Sequence, residues 1–237
     1  MVYRLHGIRN KVVVISLLVI IVIGLSSCNG DSTPVVNSCT PPSSDSLLFH
    51  DDFSNVYTGW PTYHADLSYY ESGYAISDQE SEYHIRITEP RHSVPFIRNR
   101  TLGVYSDFFV QVDCRLATDN SVGYYGLAFR RSSDTPNGYR FIVSTNGQYW
   151  IEQITDDGFS LLAEWTKSDS IYTGGGQVNR LAVECRGSQI TICVNSQLLT
   201  TVTGMSEPEG YIALFAATAE QSNVSFYFDD FYLYIYP

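Results

Sequence analysis

The fold is decided by residues 108–154, which read FFVQVDCRLATDNSVGYYGLAFRRSSDTPNGYRFIVSTNGQYWIEQI. Apolar side chains recur at every second position of this stretch, and a period of two is typical of strands with one buried face. This apolar set comprises Phe108, Val110, Val112, Cys114, Leu116, Tyr125, Leu127 and Phe129. Asn146-Gly147 separates two further runs and predicts a tight hairpin, because both residues tolerate a positive φ. We therefore expect an antiparallel meander of three or four strands paired in sequence order.

The remaining chain continues the same pattern. Short apolar runs separated by turn signals extend from Leu47 to Tyr236, with no convincing helix, which predicts an all-β sandwich or barrel. Aromatic residues make up 14% of the 237 residues and charged ones 16%, a composition that suits pleated surfaces. The formal net charge of −11 repels phosphate backbones and argues against a nucleic-acid partner.

The N-terminus has the features of an export leader. A basic start is followed by the charge-free residues 12–24, which as a helix would span roughly 20 Å, short of the ~30 Å hydrocarbon core. Leu25-Ser26-Ser27-Cys28 resembles the lipobox of bacterial lipoproteins. The resemblance implies cleavage before Cys28 and acylation of Cys28, hence an extracytoplasmic protein anchored by lipid to a bacterial membrane. The alternative is an ordinary signal peptide or an uncleaved anchor in which Cys28 has no role.

Three segments follow from this interpretation. Residues 1–27 are the lipoprotein signal peptide, and residues 28–46, rich in Ser, Thr and Pro, form a flexible linker. Residues 47–237 form the β domain.

The motifs of the β domain resemble those of a known superfamily. They are Asp51-Asp52-Phe53, Gly59-Trp60, Tyr139-Arg140-Phe141, Asn179-Arg180-Leu181, Gly210-Tyr211-Ile212 and Phe228-Asp229-Asp230-Phe231. Together they are similar to the concanavalin A-like lectin/glucanase superfamily, in its laminin-G-like bacterial branch. The resemblance implies two antiparallel sheets packed face to face as a jelly roll. It does not specify function, because this fold hosts lectins, glycosidases, lyases and structural modules.

The sequence offers no candidate catalytic residues. Glycoside hydrolysis needs two carboxylates across the scissile bond, and laminarinase-type members of the superfamily carry them as Glu-x-Asp-x-x-Glu, which is absent here. The nearest string places Glu80, Glu82 and His84 on one strand face, which we interpret as a solvated face. We therefore favour a non-enzymatic role, with a carbohydrate-active enzyme using non-standard carboxylates as the alternative.

A binding face is the better functional prediction. If the strands of the meander pair in sequence order, one sheet surface presents Asp113, Tyr124, Arg130, Arg140, Trp150 and Glu152. Aromatic platforms with charged and amide groups suit sugar recognition. The alternative is that these side chains merely cover exposed sheet or stack as cross-strand pairs. Trp60 and Trp165 match the superfamily pattern, and we interpret them as packing residues.

Two acidic pairs suggest structural calcium, and no other cofactor is predicted. First and last strands are often neighbours in such sandwiches, so Asp51 and Asp52 would approach Asp229 and Asp230. Calcium prefers several carboxylate and carbonyl oxygens. The alternative role of these acids is turn capping in water.

The cysteines leave two alternatives open. Cys114 and Cys185 both face inward by alternation, so they are either two buried thiols or one disulfide, which an oxidising exterior permits. Cys193 is expected to face outward, and Cys39 lies in the linker.

These observations predict a lipid-anchored binding or surface-interaction module, with a glycan or another envelope protein as its partner. The alternatives are the enzyme described above and a purely structural envelope module.

Overall fold

The computed structural model describes residues 39–63, 69–76, 81–94, 96–117 and 122–236. The predicted leader, its Cys28 and Glu80 lie outside these residues. Over the described ranges, none of the helical segments has the length and hydropathy needed to cross a membrane.

The described residues form fourteen strands after one short 3₁₀ helix at Ser44–Ser46. The strands are β1 (Leu47–Asp51), β2 (Tyr70–Ile76), β3 (Ser81–Ile87), β4 (Ile97–Arg98), β5 (Phe108–Leu116), β6 (Gly123–Arg131), β7 (Gly138–Ser144), β8 (Gln148–Thr155), β9 (Gly158–Lys167), β10 (Asn179–Arg186), β11 (Gln189–Val194), β12 (Gln197–Thr203), β13 (Tyr211–Thr218) and β14 (Val224–Ile235).

These strands build two antiparallel sheets, as predicted. Sheet A has the order β12-β11-β10-β5-β14-β3-β2, and sheet B has the order β4-β13-β6-β7-β8-β9. Strand β14 pairs with β5 along one edge, while β3 and β1 share successive halves of its other edge. The first and last strands are therefore neighbours, as expected.

The core lies between the inner faces of the two sheets. The alternating apolar residues of β5 and β6 are buried together in it, including Val110, Val112, Leu127 and Phe129. Alternation therefore predicted correctly that these apolar side chains point inward.

The pairing of β5 was predicted wrongly. This strand lies in sheet A between β10 and β14, and the chain changes sheets between Leu116 and Gly123. Only β6 to β9 form the meander. Alternation reports which face of a strand is buried but not which strand lies beside it, so sequence order was an insufficient guide.

The predicted hairpin joins β7 to β8, although with a different turn. Val143 pairs with Tyr149, and the Gly147 amide donates to the Ser144 carbonyl at 3.0 Å. Gly147 has a φ of 87°, whereas Asn146 is not among the described residues with positive φ. The connection is therefore a three-residue loop that places glycine in the left-handed region, not a two-residue type I′ turn.

The disulfide is formed by Cys39 and Cys193, and Cys114 and Cys185 are buried free thiols. The alternative of a disulfide between Cys114 and Cys185 is wrong, because the strand register keeps the two residues apart. Cys114 lies opposite Asn179, and Cys185 lies opposite Phe108. The six-residue offset separates them by roughly 20 Å, beyond the ~7 Å that a disulfide spans. Of the two alternatives, the structure holds two thiols.

The bond to Cys39 also orders the end of the predicted linker. On the outer face of sheet A, Cys39 packs with Phe109, Ala182, Cys193 and Tyr234. Cys39 therefore covers part of this outer face and is covalently joined to β11.

Candidate functional site

Two parallel rows of side chains cross the outer face of sheet B. Backbone register aligns the first row, which we call the aromatic row: Trp150, Ile142, Gly126, Phe215 and, one step before β4, Phe96. The neighbouring charged row contains Glu152, Arg140, Ala128, Ala213 and Arg98. Both rows use the alternate positions that the inward residues leave free.

An aromatic pocket lies at the β8–β9 end of these rows. Trp150 and Trp165 stack with ring centroids 3.7 Å apart and planes 20° from parallel. Tyr124 contacts both rings edge-on, at 5.5 and 6.0 Å. The cavity measures about 320 Å³, and Phe159 and Phe215 also line it. Trp165 is 45% exposed and Trp150 only 6%, so the stack presents one accessible indole supported by a buried one.

An ion pair forms the polar wall of the pocket. Arg140 and Glu152 lie directly opposite on β7 and β8, and Arg140 Nη2 contacts Glu152 Oε1. Burial raises the pKa of the Glu152 carboxyl, and the positive charge of Arg140 opposes that shift. Burial also lowers the pKa of the Arg140 guanidinium, because it disfavours the charged form of both groups. The Arg140 guanidinium also lies 4.8 Å from the Phe215 ring centroid. The pair therefore holds both charges in place beside the aromatic surface.

Four of the six predicted ligand-binding residues meet here: Tyr124, Arg140, Trp150 and Glu152. Asp113 does not, because β5 belongs to sheet A. Its carboxylate accepts two hydrogen bonds of 2.7 Å from Arg180 on the adjacent strand β10. The prediction that Asp113 shares this face was wrong.

Arg130 is also absent from the face. Residues Phe129 and Arg130 of β6 together oppose Ile212 of β13, which is a β-bulge, and Arg130 has a φ of 45°. Its buried guanidinium donates to the Ser106 carbonyl at 3.0 and 2.6 Å and to the Glu207 carbonyl at 3.2 Å. The bulge interrupts the alternation on which the prediction of an exposed Arg130 depended.

Sequence reasoning missed Trp165 and Phe159 as pocket residues. Strand β9 pairs with β8 through two register irregularities, so its side chains do not alternate regularly. The usable signal was the Asp156-Asp157-Gly158 turn, which predicts that β9 folds back beside β8 and hence beside Trp150. Trp60, in contrast, packs in the core as expected.

The predicted calcium ligands have other partners. Asp51 is buried and accepts from Trp60 Nε1 and from the Phe53 amide, both at 2.9 Å. Asp52 accepts from the Ser54 amide and hydroxyl, which lower its pKa. Over the described part of the chain, His, Cys, Asp and Glu side chains form no group of three or more arranged to hold a metal.

Of the two acids of β14, Asp229 lines a polar cleft on sheet A together with Glu82 and Arg115. Asp230 is 3.5 Å from His50 and 3.8 Å from Arg180. Burial, with the nearby charges of Asp230 and Glu82, raises the pKa of Asp229 to about 6. Glu82, from the nearest approach to a catalytic string, forms an ion pair with Arg115. His84 of the same string stacks on Tyr227, with ring centroids 4.9 Å apart.

Solved structures share this sandwich. The chain superposes on a carbohydrate binding module, CBM66 from Bacillus subtilis, with a TM-score of 0.54 and 18% identity, covering 75% of this chain and 96% of the module. A Bacillus licheniformis beta-glucanase superposes with a TM-score of 0.58 and 12% identity, covering 82% of this chain and 100% of the glucanase. A Bacteroides ovatus GH16 protein in complex with a glucan product superposes with a TM-score of 0.57 and 12% identity, covering 79% of this chain and 99% of that protein.

At these identities the likeness establishes the jelly-roll fold. No family model and no curated protein sequence matches the chain. The laminin-G-like branch therefore stays a prediction from the sequence motifs.

Proposed function

We propose that this protein binds carbohydrate through the outer face of sheet B, with the aromatic pocket as its principal subsite. The observation that carries the proposal is the stack of Trp165 on Trp150, with Tyr124 against the edges of both indoles. An exposed aromatic ring that its neighbours hold rigidly can receive the apolar C–H face of a sugar at little cost in side-chain entropy.

The polar wall supports the same function. Sugar hydroxyls need donors and acceptors at defined positions, and the Arg140–Glu152 pair supplies both at the edge of the pocket. Phe159 is 68% exposed and extends the apolar surface along β9, the strand that also carries Trp165. Exposed aromatic groups clustered beside a fixed ion pair are an arrangement that protein stability alone does not require.

A carbohydrate-active enzyme is the second candidate, favoured by the fold shared with a beta-glucanase. The described lining of the aromatic pocket contains one carboxylate, Glu152, which is held by Arg140. Hydrolysis by the usual routes uses two carboxylates. Binding without turnover therefore accounts better for this pocket, and release of reducing ends from a polysaccharide panel would support the enzyme instead.

The proposed location is outside the cytoplasm, with acylated Cys28 anchoring the chain to a bacterial membrane. The leader pattern and the lipobox-like residues 25–28 support it, and the Cys39–Cys193 disulfide agrees with an oxidising compartment. Metabolic labelling with a fatty-acid analogue tests the anchor. Label in the wild type that disappears in Cys28→Ser supports acylation, whereas an unlabelled wild type refutes it.

The binding proposal is tested by a glycan array with wild type and Trp165→Ala. Loss of the exposed indole should weaken binding by at least about tenfold, equivalent to about 1.4 kcal/mol. Tyr172→Ala is the matched control, because Tyr172 is an exposed aromatic residue outside the pocket lining. Equal binding by wild type and Trp165→Ala, or an empty array, would refute the proposal.

A further inference from the structure

A second cleft lies beside β4, at the opposite edge of sheet B from the aromatic pocket. It measures about 370 Å³, and its described lining includes Tyr63, Tyr70, Phe96, Arg98 and Arg100. The described lining contains two arginines and no carboxylate. Aromatic rings beside guanidinium groups that have no carboxylate partner among the described residues are suited to a ligand with both apolar and anionic parts.

Phe96 joins this cleft to the aromatic pocket. Its ring lies 6.3 Å from that of Phe215, which lines the pocket, while Phe96 itself lines the cleft. The aromatic row from Trp150 to Phe96 crosses four strand spacings, roughly 19 Å. A chain of several sugar units that starts on Trp165 would therefore reach the cleft along one surface.

The charge of this face is opposite to that of the whole protein. The chain carries a net charge of −11, yet among the described residues of the two rows and the cleft Arg98, Arg100 and Arg140 accompany a single acid, Glu152. Arg131 adds a fourth cation over the Phe96 ring. The acids of the β8–β9 hairpin lie at the opposite edge of the sheet, five strand spacings or roughly 24 Å away, which exceeds the Debye length of ~8 Å. The charged side chains that the structure describes at the β4 end of the face are therefore cationic.

Two of these cations have no carboxylate partner among the described residues. Arg131 is 4% exposed, its guanidinium lies 4.2 Å from the Phe96 ring centroid, and its Nη1 donates to the Pro136 carbonyl, whereas its buried Nε has no hydrogen-bond partner in the described part of the chain. Arg98 lies 4.7 Å from the Tyr211 ring centroid and forms no ion pair with a described residue. Burying an arginine without a carboxylate is costly, so an anionic ligand would stabilise this end of the face.

We propose that the glycan is acidic, and that Arg98 and Arg100 bind its anionic groups while Trp165 holds a sugar ring at the other end. This inference rests on the proposed carbohydrate-binding function and specifies its ligand class. The planar guanidinium forms paired hydrogen bonds with carboxylates and with sulfate or phosphate esters alike. The shared chemistry is thus an anionic oxygen group repeated along a saccharide.

The test is affinity electrophoresis of the full chain, purified in detergent. The mobility of the protein is compared between gels that contain a polyuronate, a sulfated polysaccharide or a neutral glucan. Wild type should be retarded most by one of the acidic polymers, less so as salt increases. Arg98→Gln/Arg100→Gln should weaken binding of that polymer by at least tenfold. Arg86→Gln/Arg186→Gln, which removes the same charge from sheet A, should bind it like wild type.

The outcomes separate this inference from the function on which it rests. Retardation by neutral glucan alone, or acidic binding that needs Trp165 but not Arg98 and Arg100, overturns the inference and leaves carbohydrate binding intact. If Arg86→Gln/Arg186→Gln weakens binding of the acidic polymer as much as Arg98→Gln/Arg100→Gln does, the inference is also overturned, because the net charge of the protein would then explain the binding. Retardation in none of the gels refutes both proposals, while the preferred acidic polymer identifies the anionic group.

Discussion

Replacing Cys39 and Cys193 with serine should measurably destabilise the domain. The two residues are 154 positions apart, and closing a loop of that length in the unfolded chain costs about 5 kcal/mol in the loop-entropy description. Measured losses are commonly smaller than this value, so we expect the free energy of unfolding to fall by about 2–5 kcal/mol. For a domain of this size the corresponding fall in Tm is roughly 4–20 °C.

Urea unfolding followed by tryptophan fluorescence measures this effect. The double variant should have a lower midpoint and a larger m-value, because its unfolded chain is less compact. Reductant should convert the wild type to the behaviour of the variant and leave the variant unchanged, since Cys114 and Cys185 are already thiols. Identical midpoints for the oxidised wild type and the variant would refute the reasoning.

Two further predictions concern stability and pH. The pKa of Asp229 is raised to about 6 in the folded state, so its contribution to stability is full below its unfolded value near 4 and is lost as the pH rises through about 6. Asp229→Asn should therefore stabilise the protein at pH 7 by about 1 kcal/mol, reduced by solvent screening, and show no gain below pH ~4 in denaturation curves across pH. Arg140→Met leaves Glu152 buried without its cation and should cost about 3 kcal/mol at pH 7 by urea unfolding. That loss should shrink as the pH falls from 7 toward about 4, below which the Glu152 carboxyl is protonated in both the folded and the unfolded state; a pH-independent loss would contradict the ion-pair explanation.

The candidate site was only partly predictable from the sequence, for reasons specific to each residue. Tyr124, Arg140 and Trp150 were placed correctly because β6, β7 and β8 follow one another and pair by short loops. Asp113 was misplaced because the connection after β5 leads to the other sheet, which no local pattern records. Arg130 was misplaced because a single bulge residue reverses the facing of the side chains that follow.

The sequence alone determined the strand character of the domain, the inward apolar side chains of β5 and β6, and the hairpin between β7 and β8. These properties are local, because alternation and turn preference depend on the stereochemistry of adjacent residues. The tertiary structure alone decided that β5 joins β10 and β14, that Cys39 bonds Cys193, and that Phe96 and Trp150 belong to one row. Each of these contacts joins segments far apart in the chain, where the balance between loop-closure entropy and burial selects one pairing among many that the same local pattern permits.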